Sequence, residues 1–226
     1  MRNVAALLLT CTLTAAGALT VASRTAAATD ASTQPPLVLA PESFRYCVTC
    51  HGVELQGNRL VDAPRLAGLP GWYVERQLEA FRAGWRGTHA DDLTGMEMRP
   101  QAAVLEAPAV AQVADYATSV PVRNPAPATV RGDTARGQTL YATCAACHGA
   151  QGEGIEAVGG PPLAGQSDWY LVTQLNNFRS GARGTAAGDN PGATMAASAA
   201  VLADDAAVND VVAWIATLEQ PTKEPR

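Results

Sequence analysis

The pentapeptide C-x-x-C-H occurs twice in this chain of 226 residues, at Cys47–His51 and at Cys144–His148, 97 positions apart. The register extends far beyond the motif. Shifting the chain by 97 superposes Pro64 on Pro161, Leu66-Ala67-Gly68 on Leu163-Ala164-Gly165, and Trp72-Tyr73 on Trp169-Tyr170. It also superposes Gln77-Leu78 on Gln174-Leu175, Arg86-Gly87-Thr88 on Arg183-Gly184-Thr185, and Met98 on Met195, with no gap. One extra residue then brings Tyr116 onto Trp214. A solenoid repeats every 20–50 residues or so. A period about twice that reads as two tandem copies of one small domain.

In C-x-x-C-H, two thiols add across the vinyl groups of a haem and the adjacent His ligates its iron. The cysteine count agrees. Of five Cys, four sit in the two motifs, and the fifth, Cys11, lies in an apolar N-terminal run. No disulfide or thiolate ligand remains for the exported chain. Zinc is the other use of paired Cys and His, but it leaves the matched methionines unexplained. Iron needs a ligand on each face. His51 and His148 supply one each. Only one other His exists, His89, so two bis-His centres are impossible by counting. Met98 and Met195 are the sulfur candidates. Met96 is a rival, but it falls on Ala193. The expected cofactors are therefore two c-type haems with their iron, each held by His and Met, a pairing that favours high reduction potential.

The chain opens Met1-Arg2-Asn3 and runs apolar from Val4 to Ala22, with small residues at Ala26-Ala27-Ala28. This predicts a signal peptide over 1–28 and a periplasmic location; an uncleaved N-terminal anchor is the alternative. A polar lead-in follows over 29–37. The expected plan is then domain one over 38–120, a linker with three prolines over 121–130, domain two over 131–220 and a tail over 221–226. The formal charge is −5, and the leader carries only basic charges. An acidic chain argues against nucleic acid and allows docking on a basic face of a redox protein. Domains this small have marginal apolar cores, and a covalent haem supplies the missing buried surface.

Apolar spacing predicts an all-α fold with three main helices per copy wrapped around the haem. These are Pro41 to Tyr46, Trp72 to Arg82 and Ala107 to Ser119, then Asp133 to Ala146, Asp168 to Arg179 and Asp204 to Leu218. Asp133 is a candidate N-cap.

The constellation resembles the class I cytochromes c, and most closely the cytochrome c4 family of two-domain, di-haem bacterial electron carriers. The residues that carry the resemblance are C-x-x-C-H, P-x-L-A-G, W-Y-x-x-x-Q-L-x-x-F-R-x-G-x-R-G, and M-x-x-x-A-A-V-L before the last helix. The resemblance implies a first helix crossing a last helix in each copy, with Phe44 and Tyr141 meeting Tyr116 and Trp214. Gly137 would allow close approach at the second crossing, where the first copy has Ala40. It also implies that the carbonyls of Pro64 and Pro161 accept the proximal His N–H. Arg82, Arg86, Arg179 and Arg183 recur in register; Arg86 and Arg183 are candidates to meet haem propionates. Trp72 and Trp169 are expected against haem or core, and His89 on a surface loop.

The expected function is electron transfer without substrate chemistry. Single electrons would pass from a respiratory complex or dehydrogenase to an acceptor such as a terminal oxidase, with any membrane association loose and through a partner. The alternative is an electron-transfer subunit of a periplasmic dehydrogenase, oxidising for example sulfide or an alcohol. A di-haem peroxidase would want another His, and a thiosulfate-oxidising di-haem enzyme a Cys ligand; neither is available.

Overall fold

Each half of the molecule begins with the helix that carries its C-x-x-C-H motif. The structure is a computed structural model and describes residues 42–123 and 127–219. The expected signal peptide, the lead-in, Ala40 and the tail lie outside these residues. In the first half, a single 3-10 turn at Glu42–Phe44 leads into α1, Arg45–His51. Then come α2 at Gly71–Arg82, α3 at Leu93–Ala103 and α4 at Ala107–Ser119. The second half repeats the order with α5 at Thr134–His148, α6 at Asp168–Ser180, α7 at Asn190–Ala199 and α8 at Asp205–Ile215. No strand occurs among the described residues; only isolated bridges, Asn58 with Ala63 and Ile155 with Gly160, close a matching small loop in each half.

Local chemistry sets the helix ends. The Asp133 carboxylate accepts from the N–H groups of Ala135 and Arg136, and Asp204 accepts from Ala207. These bonds satisfy donors that a first helical turn leaves open. The helices α3 and α7 are a fourth element in each half, beyond the three expected from apolar spacing. They escape a periodicity search because their inward faces are small residues, Gly95 and Ala102 in one and Gly192 and Ala199 in the other. Pro100 inside α3 argues against a helix further. The available signal was the cap: Asp92 accepts from Gly95 N–H and Asp189 from Gly192 N–H.

Two cores result. The first gathers Phe44, Leu78, Phe81, Val110, Val113 and Tyr116 where α4 meets the opening turn and α2. Phe44 is fully buried, its ring edge-on to Tyr116 at 4.6 Å between centroids. The second gathers Tyr141, Leu171, Val208, Val211, Val212 and Ile215 where α8 crosses α5 and α6. Burying each such aliphatic side chain contributes about 1.5–3 kcal/mol. At the α5–α8 crossing, a Cβ on Gly137 would lie 2.0 Å from the carbonyl oxygen of Asp210. Only glycine permits that approach.

All described residues fall within one compact unit. Polar contacts join the halves. Arg65 reaches the Ala164 carbonyl at 3.4 Å, Gln166 donates to the Arg65 carbonyl at 3.0 Å, and Arg76 to the Gly159 carbonyl at 3.3 Å. Burial pulls the Arg65 guanidinium down to about 10. The segment between the halves is tied at both ends. Gln56 bonds the Pro121 carbonyl and the Arg123 N–H, and the Asp168 carboxylate accepts from Thr129 and Val130.

Candidate haem centres

The two motifs form the last turns of α1 and α5, and after each the chain turns away at a glycine with φ of 82°, Gly52 and Gly149. Cys47 lies three residues from Cys50 and four from His51, the two spacings that share one helix face. Both imidazoles are buried. The Nδ1 of His51 lies 2.7 Å from the Pro64 carbonyl oxygen, and that of His148 2.7 Å from the Pro161 carbonyl oxygen. A carbonyl can only accept, so the proton is on Nδ1 and the lone pair on Nε2, the tautomer that a metal requires. Burial lowers the proton affinity of both rings, against the opposing effect of the proline carbonyls. Burial also raises the thiols of Cys47 and Cys144.

The methionines sit on the two helices that lack apolar periodicity. Met98, on α3, is half-buried and packs against the first core, while Met96, two residues away, is 46% exposed. A loop glycine brings each helix close. A Cβ on Gly87 would lie 2.2 Å from the Gly95 carbonyl oxygen, and one on Gly184 would lie 2.4 Å from that of Gly192. The R-G pair of the repeat therefore seats the Met helix against the arginine loop in both halves.

In the second half these groups surround one cavity of about 570 Å³. Cys144, Cys147, His148, Pro161 and Met195 all line it, with Leu171, Leu175, Phe178, Val211 and Ile215 as apolar walls. That volume suits a large, mostly apolar ligand, and the donor set is two thiols, one imidazole and one thioether. In the first half, Cys47, Val48, Leu66, Tyr73 and Met98 pack around one core, and the His51 ring is buried. In the second half the residues fit a haem in character and arrangement, and in the first half the same residue types are present in the same register.

The cavity wall reaches across the molecule to Tyr73, Gln77, Trp85 and Arg86 of the first half. There Arg86 and Arg183, 5% and 7% exposed, come together. Arg86 donates to Gln77 at 2.7 Å and to Gln174 at 3.4 Å; Arg183 donates to Gln174 at 2.5 Å and to Gln77 at 3.3 Å. Their guanidinium carbons lie 4.2 Å from the Phe81 ring centre and 4.3 Å from that of Phe178, respectively. Sequence reasoning missed the part played by Gln77 and Gln174, although both recur in register. Arg82 and Arg179 lie elsewhere, paired with Glu79 and Asp205. Trp72 and Trp169 are half-buried, do not line the cavity, and lie under Arg76 and Arg59, respectively. His89 is exposed on a loop beside Asp91.

A family model for cytochrome c matches residues 134–219. A thiosulfate dehydrogenase electron acceptor from Stutzerimonas stutzeri is 39% identical over 61% of this chain, and the match spans 64% of its own length. A protein of the same name from Thiomonas intermedia is 32% identical over 81% of this chain and 84% of its own. The chain belongs to the cytochrome c family. A cytochrome c4 structure from Acidithiobacillus ferrooxidans superposes with a TM-score of 0.62 at 28% identity, covering 76% of this chain and 98% of that one. Within the family, this cytochrome is thus of the di-haem, cytochrome c4 type. Its cofactors are c-type haems with iron, and its C-x-x-C-H motifs are those of haem attachment. The family is one of electron-transfer proteins, with redox proteins as partners. No helix among the described residues is long and apolar enough to cross a membrane.

Proposed function

We propose that this cytochrome is an exported, periplasmic di-haem shuttle that passes single electrons and performs no substrate chemistry of its own. Cys47 and Cys50 hold one haem and Cys144 and Cys147 the other. His51 and His148 would hold the irons through Nε2, with Met98 and Met195 as the sulfur ligands. Bound haem iron supplies reversible one-electron chemistry. The protein's part is to keep the imidazoles neutral and aimed, to exclude water with apolar walls, and to hold both sites in one compact unit. The observation that carries this reading is the duplicated His–Pro bond, identical at 2.7 Å in the two halves. A His and a Met for each iron would leave no ligand position for a substrate.

The names of the two relatives favour a specific electron source, a thiosulfate dehydrogenase. The dehydrogenase-subunit reading and the free-shuttle reading meet here. The intact mass of the secreted protein should exceed the polypeptide mass by two haems. Mixed with a thiosulfate dehydrogenase and thiosulfate, the oxidised protein should become fully reduced, and a terminal oxidase should reoxidise it. Thiosulfate or peroxide turnover by the protein alone, on the order of 1 per second or faster, would overturn the carrier reading.

A further inference from the structure

We infer that Arg86 and Arg183 form one shared carboxylate seat that serves both cofactors, so that each arginine sets the reduction potential of both centres. The inference rests on the di-haem reading and deepens it. Its basis is a ring of four side chains, closed across the junction. Each guanidinium donates one Nη to the glutamine of its own half and the other to the glutamine of the opposite half, at 2.5–2.7 Å and 3.3–3.4 Å. Two positive charges are thereby placed side by side on two neutral amide oxygens.

This arrangement is incomplete as a set of protein contacts. Neither arginine has an ion-pair partner within 4.0 Å among the described residues. The Nε of each is buried without a hydrogen-bond acceptor. Asp92 is the carboxylate whose charge reaches Arg183, but its oxygens are occupied by Gly87 N–H, Gly95 N–H and the Asn177 amide. Burial, then the neighbouring Arg86, pull Arg183 down to about 10. Buried charges without counter-charge are costly, and buried donors are normally satisfied.

The missing partner must be an anion that enters from the cavity, since both arginines line it. A guanidinium presenting Nε and Nη along one edge matches a planar carboxylate in two-point fashion. A haem carries two such carboxylates. Because each guanidinium is already bonded to both halves, neither belongs to one site alone. A positive charge near an iron favours its electron-rich, reduced state, and in a low-dielectric junction that field extends to both irons.

The test is a spectroelectrochemical titration of the full-length di-haem protein against Arg86→Gln and Arg183→Gln, with the haem content of each established by intact mass. Either substitution should lower both reduction potentials. Arg86→Lys and Arg183→Lys keep the charge and the stem but lose Nε and the two-point fork; they should assemble and still shift both potentials, by less. If a variant carrying two haems shifts only the potential of its own half, or neither, the shared seat is wrong. If the unaltered protein carries fewer than two haems, the di-haem reading itself fails.

Discussion

The side-chain amide of Asn177, on α6, donates to the Asp92 carboxylate at 3.0 Å across the junction between the halves. Asp92 is 1% exposed and caps α3, the helix that carries Met98. The position matching Asn177 in the first half is Ala80, which has no amide to offer Asp189. The repeat is therefore broken at one bond, and the second half helps to hold the Met98 helix. Asn177→Ala should cost about 1–3 kcal/mol, as expected for a buried hydrogen bond to a charged group. In thermal titration followed at the sulfur-to-iron band, half of the signal should be lost at lower temperature than in the unaltered protein. Uniform loss of the whole band would show that the bond does not act on one site.

The packing of α3 discriminates between its two methionines. Met98 faces the first core and Met96 faces solvent. Met98→Ala should remove about half of the far-red charge-transfer absorbance of the oxidised protein, and so should Met195→Ala. Met96→Ala should leave the band and change stability by no more than about 0.5 kcal/mol, as for an ordinary surface site.

Gly137 is where the α5–α8 crossing is tightest. Its missing side chain leaves room for the Asp210 carbonyl and the Trp214 Cβ, which would lie 2.0 Å and 2.9 Å from an added Cβ. Gly137→Val should therefore destabilise the second half by about 1–3 kcal/mol or more through overpacking. Denaturant unfolding followed at the second haem should show the lowered midpoint.

Asp168 is the acid-sensitive tie between α6 and the connecting segment. Burial raises its proton affinity, but the hydrogen bonds from Val130 and Thr129 and from its neighbour Trp169 outweigh burial and leave it below its ordinary value. A depressed carboxylate contributes stability that is fully present above its unfolded value, near pH 4. That contribution is lost as pH falls through the lower folded value. The difference in stability between the unaltered protein and Asp168→Ala should be constant from about pH 5 upward, at about 2 kcal/mol, and should shrink below about pH 4. Amide exchange at Thr129 and Val130 should quicken in the variant.

Much of this molecule follows from the chain alone. The duplicated C-x-x-C-H, the matched prolines and the matched methionines are local, ungapped signals that point to the haems, and apolar spacing points to the all-α class and to five of the six expected helices. The first, expected over Pro41 to Tyr46, is instead a 3-10 turn at Glu42–Phe44 running into a helix at Arg45–His51 that contains the motif. The helices α3 and α7 were not legible, because their inward faces are Gly and Ala, which leave no apolar period to read. The cap residues Asp92 and Asp189 were the only trace. What the tertiary structure decided is the junction. Nothing in the register says that Gln77 reaches Arg183 or that Gln174 reaches Arg86, since each copy reads as complete by itself. Nor does spacing place Trp169 under Arg59, or tie Asp92 to Asn177. These contacts arise when two similar surfaces with buried charges meet, and they depend on how the halves are oriented, which no single copy encodes.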